Sequence, residues 1–333
     1  MFRWRDLSDV PPGFGPSVVT IGNFDGVHRG HQRVLSQLVD SARELGWASV
    51  VVTFDPHPAQ VHRPGSHPGL IMGTEDKLDA LERTGADAAL VLEYSLEFAA
   101  QSTEQFVLGT LVGPLGARCL VVGEDTRLGK DNTGNIDTLR ELGQRHGFEV
   151  RVVDDLLDPL HEQHPEHAPA VTAAGERRCS STWIRACLQA GDVRAAARLL
   201  GRHHRMRGEV VHGAARGREL GYPTANLSPD AAGFVPADGV YAGWLLDAHG
   251  TRWPTAISVG SNPTFENVPR QVEAHVIDRP EERVEYFDLY GQEVVVEFVA
   301  RLRGMVAYEG VDKLVAQMDD DVERTRGILA AEA

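Results

Sequence analysis

Two imidazoles three residues apart, His28 and His31 in the run HRGH, follow the apolar stretch SVVTIGN and the turn residues Asn23-Phe24-Asp25-Gly26. Residues three apart share one helical face. The first turn of a helix also offers unpaired backbone N–H groups and the positive end of its dipole, so donors in this arrangement suit an anion, and imidazole N–H groups can extend them toward phosphate oxygens. An isolated HxxH is more often a pair of surface histidines beside a turn; the setting GNFDGVHRGH favours a phosphate cradle. A second constellation lies in RGEVVHGAARGRELGYPTANL, with Gly208, Gly213, Gly217 and Gly221 ahead of Pro223-Thr224-Ala225-Asn226. Glycines let a backbone approach a polyphosphate and turn N–H groups can form an anion nest, while Thr and Asn carry hard oxygens suited to magnesium. Glycines alone in a β-rich region mostly mark turns and bulges. The PTAN run is far more specific.

Other suggestive groups carry less. His161, His164 and His167 have metal-ligand spacing, but Pro165 and Pro169 argue against a helix aligning them, so a solvated loop is expected; His203-His204 is weaker still, and Asp319-Asp320-Asp321 reads as the polar face of a helix. Cys119, Cys179 and Cys187 are odd in number and lack CxxC spacing, which indicates neither a disulfide framework nor a thiolate zinc site. A net charge of −15 excludes a general phosphate-backbone binder, so no nucleic-acid partner is expected and any anionic substrate has to be held locally. No apolar run is long enough to span a bilayer and no secretory leader opens the chain, so a cytoplasmic protein without a membrane partner is expected.

The elements that position these groups can be read from the pattern. From Ser17 to about Val153 short apolar runs alternate with amphipathic stretches: strands at SVVTIGN, ASVVVTF, DAALVLE (87–93), ARCLVVG (117–123) and FEVRVVD (148–154), and helices near 30–45, 75–84, 103–112 and 135–146. Strands without polar alternation suit a parallel sheet covered on both faces. His28 and His31 then stand beyond the carboxyl end of a strand, where open α/β sheets bind ligands. Residues 155–178 read as an exposed loop, and SSTWIRACLQAGDVRAAARLLG as two short helices divided at Gly191-Asp192. Beyond Gly201 the runs RMRGEVVHG, GVYAGWLLD, RWPTAISVG, QVEAHVID and EVVVEFVARL predict a small β-barrel or sandwich. A last helix is expected to pack on it through Val311, Leu314, Val315, Met318 and Val322. The expected division is 1–186, a helical linker 187–202, and 203–333.

The segment GNFDGVHRGH resembles the signature of the HxGH nucleotidyltransferases, and its company of VVTFDPHP (51–58), EDKL (75–78), VVGEDTRLG (121–129) and SSTWIR (180–185) resembles the FMN adenylyltransferase module of prokaryotic bifunctional riboflavin kinase/FAD synthetases. The second constellation, continued by DGVYAGW (238–244), AISVGSNPTF (256–265), VEAHVID (272–278) and DLYG (288–291), resembles the riboflavin kinase domain. The resemblance covers essentially the whole chain. It implies a Rossmann-like nucleotidyltransferase domain followed by a small antiparallel barrel. His28 and His31 would steady the ATP phosphates and the charge of the transition state, Asn23, Gly26 and Asp125 would help position nucleotide or metal, and Ser180, Ser181, Thr182 and Arg185 would supply hydroxyls and a planar fork of donors. The Ser and Thr can serve at the same time as a helix N-cap. In the barrel, Gly208, Gly213 and Gly217 would line the nucleotide, Thr224 and Asn226 would hold magnesium and the ATP phosphates, and Glu273 would take the proton from the riboflavin 5′-hydroxyl. Alternation puts Glu273 on one strand face with His275 and Ile277, and Val272, Ala274 and Val276 on the other.

The chain departs from the family's GxDFxFG, reading GEDTRLG, so that Thr126 and Leu128 replace two aromatic residues expected near a flavin ring. Phe54 and Leu128 are the candidate flavin contacts. ATP with Mg2+, riboflavin and FMN are the expected small molecules, with no tightly bound prosthetic group, in a monomer or weak homo-oligomer. A relative that keeps the kinase but has weakened or redirected adenylyl transfer, and a flavin-sensing or flavin-carrying protein without turnover, are the alternatives.

Overall fold

The structure, a computed structural model, describes residues 1–158, 177–213, 222–260, 270–278, 289–306, 308 and 310–332. Gly217, the His161–His167 cluster, the SNPTF run and part of DLYG lie outside them. The chain divides into two compact units. One takes Met1–Pro68, the chain from Thr74 onward and the stretch leading to Ser180; the other takes Gly69–Gly73 and Ser181 onward.

In the first unit β1 (Phe2–Trp4), β2 (Ser17–Ile21), β3 (Ala48–Asp55), β4 (Ala88–Glu93), β5 (Ala117–Gly123) and β6 (Glu149–Val153) form one sheet in the order β1-β4-β3-β2-β5-β6. Every neighbouring pair is parallel. All five residues of β2 are buried, as are six of the eight in β3, which is why these runs lack polar alternation: both faces are covered. The helices are α1 (Arg29–Leu45), α2 (Pro58–His62), α3 (Thr74–Glu82), α4 (Leu96–Ala99), α5 (Thr103–Phe106) and α6 (Ile136–His146). From β2 the chain proceeds to β3 on one side while β5 pairs on the other, so the strand order reverses between β2 and β5. In open parallel sheets that reversal opens a crevice at the carboxyl ends of the strands. β1 was not foreseen: three residues, only one of them buried, add a parallel edge beside β4. A two-residue ladder, β7 (Leu157–Asp158) with β8 (Arg177–Arg178), stands at the two ends of the stretch read as a loop.

The second unit opens with α7 (Ser181–Ala190), which runs across the expected boundary at 186, and α8 (Val193–Leu200). Gly191 in the left-handed region (φ 78°) and the Asp192 side chain, which accepts from the Ala195 N–H, make the break between them. Strands β9 (His204–Val211), β10 (Ala225–Leu227), β11 (Gly239–Leu246), β12 (Arg252–Gly260), β13 (Gln271–Val276) and β14 (Glu293–Arg303) form a closed barrel in the order β10-β13-β12-β11-β14-β9. Its pairs are antiparallel. The short β10 is the strand that completes closure, and it begins inside the PTAN run.

The last helix, α9 (Val311–Ala330), packs its Leu329 against Val240, Ala242, Val299 and Leu302 of the barrel. Its buried face differs from the expected stripe. Val311 is exposed, whereas Asp321, Thr325 and Leu329 are buried. Asp321 turns inward because Arg303 of β14 meets it with Nε at 3.0 Å and Nη2 at 2.6 Å, so the buried carboxylate is paired. Asp319 accepts the Tyr222 hydroxyl. Asp319 and Asp320 are exposed, as a polar helix face requires, with Asp320 beside Arg324.

Candidate functional site

The first candidate site grows from the end of β2. The chain leaves the sheet at Ile21 and turns through Phe24 (φ 48°), Gly26 (φ 85°) and Val27 (φ 38°) before α1 begins. Left-handed backbone at a β-branched residue such as Val27 is costly and persists only where the surroundings dictate it. Here the Val27 carbonyl accepts from Gln32 Nε2 at 2.8 Å, and the Asn23 carbonyl accepts from the Thr53 hydroxyl at 3.1 Å. The turn presents Asp25 and His28 at 4% and 5% exposure.

His28 is the N-cap of α1, and its Nδ1 accepts from the His31 backbone N–H at 3.3 Å. With Nδ1 used as an acceptor, the proton of the neutral ring belongs to Nε2. The two imidazoles lie face to face, ring centres 3.6 Å apart and 19° from parallel, and Phe24 meets His31 edge-on at 5.2 Å. The HxGH glycine has a local reason. A Cβ on Gly30 would stand 3.1 Å from His28 Cε1 and 3.2 Å from the Cys179 carbonyl oxygen, so its hydrogen lets the imidazole and the 179–180 stretch close on the helix start. Cys179 Sγ lies 3.7 Å from His28 Nδ1. Ser180 follows directly on a residue that touches both His28 and the Gly30 position.

Across the strand-order reversal, Asp125 follows β5. It is 57% exposed and bonded to Arg178 Nη2 at 2.5 Å, while Arg178 Nη1 reaches Asp155 at 3.1 Å. Burial raises the Asp155 pKa, with Arg178 acting against that shift. Asp125 is thus one arm of a carboxylate–guanidinium chain. Phe54, at the end of β3, is buried against Tyr94 (5.4 Å) and Phe98 (5.7 Å). Leu128 packs on the same apolar cluster and is held by paired backbone bonds with Gly134 and by Thr103 Oγ1, which donates to its carbonyl at 3.2 Å. The two candidate flavin contacts therefore share a cluster that also holds Tyr94 and Phe98, which sequence reasoning passed over. The position of Tyr94, one residue beyond a predicted strand end, was the available signal. Ser181, Thr182 and Arg185 belong to α7, and Arg185 Nε donates to the Gly69 carbonyl at 2.7 Å.

The second candidate site is built on ladders. Asn226 of β10 pairs directly with Glu273 of β13, and Glu273 also pairs with Ser258 of β12. Directly opposed residues put their side chains on the same face, with Cβ atoms about 4.5–5.5 Å apart. Val272, Ala274 and Val276 are buried while Glu273 and His275 are half-buried, so the ladder orients the glutamate away from the packed face. Asn226 is 5% exposed, and its Nδ2 donates to the Thr224 carbonyl at 3.4 Å. A Cβ on Gly213 would fall 2.4 Å from Asn226 Nδ2, which explains that glycine by the space the amide needs. Gly208 has a packing reason instead: it lies inside β9, and a Cβ there would meet Ala231 Cβ at 2.6 Å.

The approach to PTAN is fixed from two sides. His275 Nδ1–H donates to the Pro223 carbonyl at 2.9 Å, and Tyr222, whose pKa is pushed up to about 12 chiefly by its hydrogen bond to Asp319, ties the same segment to α9. The Thr224 hydroxyl and Asn226 amide oxygen are hard donors of the kind Mg2+ takes, and the space kept by Gly213 accommodates the Asn226 amide. Among the described residues no cluster of three or more His, Cys, Asp or Glu could hold a metal ion. Nor is any helix among them long and apolar enough to cross a membrane.

Comparison with known proteins matches residues 12–163 to the family model for FAD synthetase and residues 200–329 to that for riboflavin kinase. The chain is 34% identical over 331 residues to the bifunctional riboflavin kinase/FMN adenylyltransferase of Pseudomonas fluorescens, covering 99% of this chain and 98% of the relative. It is 31% identical over 304 residues to the protein of the same name in Escherichia coli K12, covering 91% and 90%. Among solved structures, one described as a macrolide-efflux protein of Streptococcus pneumoniae aligns with a TM-score of 0.80 at 31% identity, covering 98% of both chains.

Proposed function

The chain belongs to the family of bifunctional riboflavin kinase/FMN adenylyltransferases, and from that premise we propose that its two units catalyse successive steps: phosphorylation of riboflavin to FMN in the barrel, and adenylylation of FMN to FAD in the parallel-sheet unit. The observation that carries this reading is the direct pairing of Asn226 with Glu273, which sets a magnesium- and phosphate-type donor beside a carboxylate base on neighbouring strands. The S. pneumoniae description is not carried over, because both candidate sites are built from residues suited to phosphate chemistry.

In the kinase step the Glu273 carboxylate accepts the proton of the riboflavin 5′-hydroxyl as that oxygen attacks the γ-phosphorus of ATP, giving FMN and ADP. Thr224 and Asn226 would hold Mg2+ with the nucleotide, an ion that offsets charge on the β- and γ-phosphate oxygens when bound. In the adenylyl step an FMN phosphate oxygen attacks the α-phosphorus in line and pyrophosphate leaves. No protein nucleophile is required, so positioning and charge stabilisation do the work. His28, donating from Nε2, and His31 on the same helix face meet the phosphates at the amino end of α1, with Asn23, Gly26 and Ser180 beside them. Phe54, Tyr94, Phe98 and Leu128 offer an apolar bed for the flavin ring, which compensates for the two aromatic residues replaced by Thr126 and Leu128.

Purified full-length protein with Mg2+ and ATP, given riboflavin in one reaction and FMN in another, tests this. FMN and then FAD are expected from the first, FAD and pyrophosphate from the second. FMN from the first with no FAD from either would leave only the kinase.

A further inference from the structure

Lys77 is a buried charge that the two reactions above leave unused. The run EDKL on α3 would ordinarily expose its lysine, yet Lys77 is 6% exposed. Its Nζ faces three oxygens: the Phe54 carbonyl at 3.0 Å, Thr53 Oγ1 at 3.2 Å and the Asn23 carbonyl at 3.4 Å. The Thr53 hydroxyl donates in turn to that same Asn23 carbonyl. All three acceptors stand at or just beyond the carboxyl ends of β2 and β3. An ammonium has three donors and no acceptor, which matches three oxygens; a neutral amine would turn a lone pair toward one of them. Burial pulls the Lys77 pKa down, Asp25 and Asp55 act to keep the proton, and Arg5 acts against it. A charge is buried at a cost unless it is paired and hydrogen-bonded, and here the compensation falls on the turn that leads to His28.

We propose that Lys77 is a positioning residue for adenylyl transfer, its ammonium pinning the Asn23 carbonyl to the end of β3 and so fixing the turn that presents Asn23, Asp25 and the start of α1 to the nucleotide. The left-handed residues Phe24 and Val27 need such a constraint, because strained backbone holds its shape only where neighbours over-determine it. Gln32 holds the Val27 end of the turn, and Lys77 with Thr53 holds the Asn23 end.

The inference rests on the proposed FMN adenylyltransferase reading, and the test separates the two. Full-length wild type, Lys77→Met, Lys77→Arg and Thr53→Val are compared for FAD formation from FMN and FMN formation from riboflavin, with Tm recorded for each. Lys77→Met is expected to lower the FAD-forming kcat by about 10²-fold, the scale of a small misplacement of reacting groups, with a much smaller change in KM for ATP and an unchanged kinase rate. Thr53→Val, which removes one of the three oxygens and leaves the charge, should lower the same kcat by roughly 3- to 10-fold on that scale. The alkaline limb of the FAD-forming rate should lie below the ordinary lysine range in wild type and move upward in Lys77→Arg, whose cation does not titrate there. A wild type that makes no FAD would overturn the functional reading itself. Given an active wild type, full kcat in Lys77→Met, full kcat in Thr53→Val should Lys77→Met fail to fold, or an alkaline limb unmoved by Lys77→Arg would each overturn the role of Lys77 alone.

Discussion

The two units build their candidate sites by opposite means. In the parallel-sheet unit the candidate groups stand on a turn and on the first residues of a helix, and their places depend on individual supports: a stacked imidazole, a glycine beneath it, a carbonyl caught by a buried ammonium. In the barrel, Asn226 and Glu273 are neighbours because two antiparallel strands run past each other in a fixed register. A site on a turn can therefore be degraded in small steps by removing its supports one at a time. A site set by register keeps its geometry until a reacting group itself is changed.

The largest expected effect breaks the barrel site at its reacting group. Glu273→Gln should lower FMN formation by about 10²- to 10⁴-fold, the range of a lost general base, while supplied FMN is still adenylylated; undiminished kinase turnover would show that another group takes the proton. Next, His31→Ala should lower FAD formation by about 10²-fold or more, as loss of a preorganised donor does, with FMN formation kept. Equal losses of both activities would remove the independence of the two sites.

A third pair sharpens the contrast. Gly30→Ala drives a methyl toward His28 and the Cys179 carbonyl, and Gly213→Ala drives one into the Asn226 amide. Each should lower one activity by roughly 10-fold, FAD formation for the first and FMN formation for the second, since both act by displacement of a neighbouring group. The Gly213 effect should fall mainly on KM for MgATP.

The smallest effect concerns stability. The Asp278 pKa is lowered by hydrogen bonds from Arg326, so its contribution is present above the unfolded carboxylate pKa of about 3.9 and is lost as pH falls through the lower folded value. Asp278→Asn should therefore lower Tm slightly at neutral pH and leave it nearly unchanged near pH 2. A mutant Tm offset that persists undiminished in acid would assign the contact another origin. The pair is exposed and the shift in Tm should be small.

Much of the architecture was legible because the strands announce themselves. The runs 117–123 and 252–260 coincide with β5 and β12 to the residue, the first because a sheet covered on both faces demands a mostly apolar run, interrupted here by the exposed Arg118. The features missed share one cause: their partners are distant in sequence. β1 is three residues whose only reason to be a strand is the edge of β4. β10 begins inside PTAN, which reads as chemistry and predicts no element, and only pairing with β9 and β13 makes Ala225–Leu227 a strand. Asp321 looked solvated until Arg303 faced it, and nothing along the chain tells that the ends of β2 and β3 close over Lys77. The HxGH and PTAN motifs were visible as chemistry. Their supports were not, since the carbonyls that hold a lysine and the amide space that requires a glycine leave no pattern along the chain.

The pairing of Glu273 with Asn226 and Ser258 on its two sides also sets what this enzyme can tolerate as its sequence drifts. Residues added or lost outside Gln271–Val276 change the length of a connection and leave the register of β13 alone. One residue inserted within the strand, ahead of Glu273, would turn every later side chain to the opposite face, carrying the carboxylate into the barrel and a valine or alanine out. Insertions and deletions in the barrel should thus collect in its connections, where they change the length of a loop while Asn226 and Glu273 stay opposed.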